Sequence, residues 1–153
     1  MTGQVIEGFM KNPFELLWGR KTYDIFAAYW PHTGDAPSIA RPFNATKKYV
    51  VSHANADLSW HNSVVVTGEV VPEIKKLKAM EGPDLWVWGS GNLIQTLLKA
   101  DLVDQMYIWT HPVTIGGGKR LFREGIMSAA FELASSQVSS RGVILARYER
   151  TLR

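Results

Sequence analysis

The sequence predicts a single α/β domain over residues 1–153, built on a mixed, mainly parallel sheet flanked by helices. Three observations predict it. Through the first two-thirds of the chain, apolar runs of strand length alternate with stretches of helical periodicity. Two of those runs end on glycine turns that open directly into helices, at Gly19 and at Gly89-Ser90-Gly91. The last third then reads as three strands and closes on a β-hairpin.

Residues 14–18 form a short apolar run that reads as a buried strand, ended by Gly19. Residues 20–29 read as a helix, with Tyr23, Phe26 and Tyr29 at helical spacing. Trp30-Pro31 closes it, because a residue before proline resists the α region. Residues 32–46, punctuated by Pro37 and Pro42, read as a loop. Residues 48–52 and 63–67 are β-rich, and Val64-Val65-Val66 reads as a strand core buried on both faces. Pro72 suits a first helical turn, and Ile74 and Leu77 supply an apolar stripe behind it. Residues 85–88 read as a third buried strand, followed by a helix whose buried face is Leu93, Ile94, Leu97 and Leu98. Residues 105–111, 131–139 and 142–152 supply the remaining strands. Right-handed crossovers would join the parallel ones.

A chain of 153 residues can bury roughly 70% of its unfolded surface, enough for a full core. With 46% hydrophobic and 20% charged residues, the composition excludes a disordered chain. The absence of cysteine excludes disulfides, thiolate metal sites and a Cys nucleophile. His32 and His61 share no ligand spacing, so no metal is expected. No apolar run reaches the ~18 residues of a membrane span. No basic segment followed by an apolar one opens the chain, so a cytoplasmic protein without membrane contact is expected. A net charge of +3 does not point to nucleic acid, and it suits a small anionic ligand. Lys75, Lys76 and Lys78 read as a solvated helix face.

The strongest local feature is a strand that feeds Gly89-Ser90-Gly91-Asn92-Leu93. Glycine lets a ligand approach the backbone, and the first helical amides lack internal partners. The helix dipole adds to them, so a pyrophosphate would fit. A plain strand-to-helix turn explains the same residues. The six-residue Rossmann pattern is not met, since Ile94 stands where it needs glycine. Gly19-Arg20-Lys21-Thr22 repeats the arrangement with two cations and a hydroxyl. Cations at a helix N-terminus oppose the dipole, and a bound anion would remove that conflict. Ser52-His53 ends the next strand and reads either as a phosphate contact or as an ordinary loop pair. Thr110 and His111 end a later strand, and the bland reading of His111 is structural. Trp86 and Trp88 read as core, and Trp18 and Trp109 as core or as stacking surfaces. Gly116-Gly117-Gly118-Lys119-Arg120 lacks the Walker spacing and reads as a flexible turn near the substrate side.

In order, these elements resemble the riboflavin-biosynthesis reductase C-terminal domain family, which shares the dihydrofolate reductase fold. The motifs that carry the resemblance are Leu17-Trp18-Gly19-Arg20-Lys21-Thr22-Tyr23, Lys48-Tyr49-Val50-Val51-Ser52 and Gly89-Ser90-Gly91-Asn92-Leu93. Leu102-Val103-Asp104, Thr110-His111-Pro112-Val113 and Gly116-Gly117-Gly118-Lys119-Arg120-Leu121-Phe122 complete it. The chain looks most similar to small stand-alone bacterial members. The resemblance implies NADPH across the carboxyl edge of the sheet. Gly19, Arg20, Lys21 and Thr22 would hold phosphates, and Ser52 and His53 would meet the adenosine ribose and its 2′-phosphate. Gly89, Ser90, Gly91, Asn92 and Leu93 would hold the pyrophosphate, and Thr110 would face the substrate ring.

Two positions depart from the family's pattern. The family opens on a strand ending in a Ser-Leu-Asp-Gly-like segment, where this chain has only Thr2 to Gly8, with Gly3 or Gln4 in place of the Asp. The first strand is therefore expected to be shortened or missing. Position 53 is His where Arg is commoner, which weakens the case for NADPH over NADH. The implied activity is hydride transfer to a conjugated heterocyclic substrate. The alternative is a non-catalytic dinucleotide-binding protein. Glu7, Thr110 and His111 are weak candidates for catalysis. The long C-terminal strands are compatible with a homodimer.

Overall fold

The computed structural model describes residues 8, 10–53, 56–126 and 128–151. The expected shortened first strand and Glu7 fall outside these residues. The chain forms two compact units, residues 1–96 and 97–153.

The first unit carries a parallel four-stranded sheet in the order β3-β2-β1-β4. Its strands are β1 (Phe14–Gly19), β2 (Lys48–Val51), β3 (Ser63–Val66) and β4 (Asp84–Trp86). Three of its helices are α1 (Arg20–Ala27), α2 (Pro37–Ala45) and α3 (Val70–Ala79). The boundary between the units falls inside α4 (Gly91–Lys99). Every pairing in this sheet is parallel, as the strand–helix alternation predicts. β1 lies inside the sheet, and Leu16, Leu17 and Trp18 are all buried on it. A strand buried on both faces needs that unbroken apolar run.

Three local expectations are corrected. Residues 32–46 contain α2, where a loop is predicted. Pro37 opens that helix, a position where its missing N–H costs nothing. Pro42 lies inside it and removes an internal bond, but burial of Ile39, Ala40 and Phe43 outweighs that loss. Val64-Val65-Val66 is not buried on both faces, because β3 is an outer strand among the described residues and Val64 is exposed. β4 ends at Trp86, and Leu85, Trp86, Val87 and Trp88 are only half-buried, because β4 is the other outer strand among the described residues.

An aromatic cluster fills the first unit around the fully buried Phe43. Its ring lies 5.2–6.4 Å, centroid to centroid, from Phe14, Trp18, Phe26, Trp30 and Trp88. Trp18 is therefore core, the blander of its two readings.

The second unit carries an antiparallel three-stranded sheet in the order β5-β7-β6. Its strands are β5 (Gln105–Thr110), β6 (Phe131–Val138) and β7 (Ile144–Arg150). β6 and β7 form the expected hairpin, with a register shift between Leu133 and Ser135. Arg150 donates to Asp101 through Nε at 3.0 Å. Among the described residues no helix is long and apolar enough to cross a membrane.

Candidate dinucleotide site

The carboxyl edge of the parallel sheet brings the predicted residues of the first unit together. Gly19 on β1 pairs in register with Val51 on β2. Leu16 pairs with Trp86, so continuing that register sets Gly19 level with Gly89. Neighbouring strands lie roughly 4.8 Å apart, which puts the segments starting at Ser52, Arg20 and Ser90 side by side. Strand order reverses between β1 and β4, since β2 and β3 lie on one side of β1 and β4 on the other. Such a switch point, at the carboxyl ends of the strands, is where open α/β sheets hold ligands.

Two reciprocal hydrogen bonds join the turns that flank this switch point. The Gly19 N–H donates to Ser90 Oγ at 3.1 Å, and the Ser90 N–H donates to Thr22 Oγ1 at 3.1 Å. Each hydroxyl thus accepts a backbone N–H and retains its own proton as a donor. The backbone is shaped for this contact. Gly89 has φ +67°, and a Cβ there would stand 3.6 Å from Thr22 Cγ2. Ser90 also adopts a left-handed conformation, with φ 56°. The α4 ladder then begins at once, with the Ile94 N–H bonded to the Ser90 carbonyl at 3.0 Å.

The charge pattern matches an anion. α1 starts at Arg20 with no side-chain cap on its N-terminus and no acidic residue in its first turn. The first turn of α4 is likewise free of acidic residues. Arg20 Nε donates to Asp24 Oδ1 at 2.7 Å along the helix surface. That pair is solvent-exposed and weak, so the guanidinium can turn to a ligand at little cost. Lys21 is exposed beside it. The donor set therefore consists of two hydroxyls, two cations and two helix N-termini, which fits the phosphates of a dinucleotide.

The other predicted residues divide as follows. Ser52 and His53 follow β2 at the same edge, and the Ser52 N–H is held by the Val66 carbonyl at 3.2 Å. Gly91, Asn92 and Leu93 form the first turn of α4, with Leu93 buried. Thr110 and His111 belong to the second unit, exposed at and just after the end of β5. Thr67 and Gly68 follow β3 at this same edge and escape the sequence reading. Their signal is the strand–glycine–helix pattern again, with Gly68 at φ +92° just before α3. Among the described residues no three His, Asp or Glu side chains gather as a metal site would need.

A second group also escapes the sequence reading. Lys48 is fully buried in β2. Its Nζ donates to the carbonyls of Thr46, His61 and Asn44 at 2.7, 3.0 and 3.3 Å, and lies 4.6 Å from the Trp60 ring centroid. Burial lowers its pKa to about 8. A β-rich run gives no hint that its lysine points inward.

The comparisons with known proteins agree with this fold. Residues 2–145 match the model of the RibD C-terminal domain. The uncharacterised protein YyaP of Bacillus subtilis is 28% identical over 139 residues, covering 89% of this chain and 73% of that protein. A solved structure of a candidate riboflavin biosynthesis protein from Shewanella sp. PV-4 superposes with a TM-score of 0.75 at 28% identity, over 99% of this chain and 81% of that one. RibD from Acinetobacter baumannii shares the fold, with a TM-score of 0.59 at 14% identity, covering 98% of this chain and 50% of that one. The chain belongs to the RibD C-terminal domain family.

Proposed function

We propose that this chain is an NADPH-dependent reductase that delivers a hydride to a flat, conjugated heterocycle such as a pterin or a flavin precursor. The observation that carries the reading is the joining of the β1 and β4 turns by the Gly19–Ser90–Thr22 hydrogen bonds. They pre-form a donor set at the switch point of the sheet, so little has to be ordered when phosphates arrive. Family membership and the likeness to the Shewanella protein, named for riboflavin biosynthesis, support the reductase class. A bound nicotinamide would supply the hydride itself. The chain's share is to bind and orient. Thr22 and Ser90 would donate their hydroxyl protons to phosphate oxygens, and Arg20 and Lys21 would balance the charge. Ser52 and His53 would meet the ribose carrying the 2′-phosphate.

Parallel titrations with NADPH and NADH test this, on the wild-type protein and on Arg20→Ala. Micromolar binding of NADPH is expected, weakened about tenfold by Arg20→Ala through loss of one charge-assisted contact. Failure of both cofactors to bind below the millimolar range sinks the proposal. Equal affinity for the two removes only the 2′-phosphate assignment at Ser52 and His53.

A further inference from the structure

β6 is an outer strand of the antiparallel sheet, and seven of its eight residues are exposed. No strand pairs with its outward edge among the described residues, so a row of backbone N–H and C=O groups faces solvent. β5, the outer strand on the other side, keeps Met106, Ile108 and Trp109 half-buried. Lysine and proline commonly blunt such an edge, and β6 contains neither. A bulge can also turn an edge away, but the one between Leu133 and Ser135 leaves residues 135–138 in regular register with β7.

The bulge sorts the side chains as well. Leu133 pairs with Tyr148, and Val138 pairs with Ile144. Tyr148 and Ile144 share a face of β7, so Leu133 and Val138 share that face too, although an odd number of positions separates them. They are 56% and 62% exposed. Glu132 stands opposite Glu149, which is ion-paired with Arg147 at 3.0 Å. Like charges directly opposite each other destabilise a sheet, so a further cation beside Glu132 is stabilising.

Between Phe131 and Val143 the charged residues are Glu132 and Arg141, of opposite sign and at opposite ends. Arg141 is exposed in the turn that joins β6 to β7. That turn is held by the Gly142 N–H on the Ser139 carbonyl at 2.9 Å and by the Val143 N–H on Ser139 Oγ at 3.0 Å. A second copy laid antiparallel along β6 by a two-fold axis brings Arg141 of each copy to Glu132 of the other. The same axis brings Leu133 of each copy beside Val138 of the other. The midpoints of the two pairs both fall within residues 135–137, so one axis serves both. The charge pattern of this arm is thus complementary to itself when reversed.

We infer that β6 pairs antiparallel with β6 of a second copy, joining the two three-stranded sheets into one across a homodimer interface. The contact is isologous, so each copy uses the same edge and the pairing closes on two subunits. It covers the edge of β6 and leaves both its faces in water. The interface is small, and a Kd on the order of micromolar follows.

Sedimentation equilibrium of the full chain tests the inference over roughly 1 μM to 1 mM, the range in which a small interface dissociates. The proteins are wild type, Glu132→Arg, Arg141→Glu, the double exchange of both, and Val138→Lys, each with a melting temperature. Wild type is expected to pass from 17.2 kDa to twice that mass. Each single exchange turns two attractions into repulsions and should weaken the dimer about tenfold. The double exchange restores the attractions with signs reversed and should return the Kd to within about twofold of wild type. Val138→Lys places a charge on the open edge and should weaken the dimer by more than about tenfold. All three positions are exposed, and if one single exchange fails to fold, the other and Val138→Lys carry the test. A wild type that stays at 17.2 kDa throughout overturns the inference. So does a dimer that the single exchanges leave unweakened, because it then forms through another surface. A dimer weakened by both single exchanges and not restored by the double one overturns the antiparallel alignment, and the inference falls with it.

Discussion

In residues 1–96 the inner strand β1 buries Leu16, Leu17 and Trp18 completely, whereas in residues 97–153 strand β6 leaves seven of its eight residues exposed. The contrast follows from the two sheets. A parallel strand flanked by crossovers is covered on both faces, so nearly every position must be apolar and well packed. An antiparallel hairpin can leave one face to water, and its outer strand can leave more. Sequence information is accordingly concentrated in the first unit, where a single side chain meets many neighbours. Phe43 lies near five aromatic rings, and Leu133 on β6 is 56% exposed.

The largest expected effect tests that contrast directly. Phe43→Ala should cost about 3–5 kcal/mol, since it empties the centre of the aromatic cluster. Leu133→Ala should stay within about 0.5 kcal/mol. Urea denaturation of the two variants measures both. A large cost for Leu133→Ala would break the comparison, because it would mean that a face of β6, beyond its paired edge, is covered in solution.

The next effect separates two adjacent lysines. Lys47 is exposed, and its hydrogen bond to Tyr49 raises its pKa. Lys48 is buried, and desolvation lowers its pKa from 10.5 to about 8. Below pH 8 Lys48 is charged in both the folded and unfolded states, so the fold bears the whole desolvation cost. Between that pH and 10.5 the unfolded chain binds more protons, so stability rises with pH. The shift sets a ceiling of about 3 kcal/mol on the rise. Three carbonyls surround Nζ and a neutral amine offers only two N–H donors, so the real gain is smaller. Lys48→Met abolishes the rise and leaves the opposite trend from Lys47 in place. Denaturation curves for both proteins at pH 7 and at pH 10 check this. A wild-type protein no more stable at the higher pH, relative to the variant, overturns the account.

The sequence reading was strongest where one residue type solves a backbone problem. Gly19 ends β1 directly before α1, Gly89 lies in the short turn between Trp86 at the end of β4 and Gly91 at the start of α4, and both turns lie where that reading puts them. It was weakest where burial overrides local preference. Pro42 argues for a loop, and only the buried side of α2 explains why a helix forms around it. Val64-Val65-Val66 has the composition of an inner strand, but strand order, which composition does not encode, makes β3 an outer one. The Thr22–Ser90 contact spans 68 positions and the Tyr23–Trp60 contact 37. Motif order implies that the first pair of turns lie together, and nothing local implies the second. Trp60 sits in an irregular crossover, without periodicity to mark it as buried.

The smallest expected effect uses the same backbone conformation once in each unit. Gly89 and Gly142 have φ +67° and +76°. A Cβ at Gly89 would stand 3.6 Å from Thr22 Cγ2, and one at Gly142 would stand 3.5 Å from Pro112 Cγ. Both are ordinary contact distances, so steric clash adds little and the cost is backbone strain. Gly89→Ala and Gly142→Ala should therefore each lose about 1 kcal/mol of stability. Their binding should differ. Alanine at Gly89 pushes the turn away from its left-handed conformation, moving the Ser90 hydroxyl and the Gly19–Ser90–Thr22 bonds with it. Weaker NADPH binding is expected from Gly89→Ala, by about fivefold, and none from Gly142→Ala. Matched melting temperatures with unmatched affinities would tie the ligand to the parallel unit's turn. Equal affinities in the two variants would mean that the turn after β4 is only a turn.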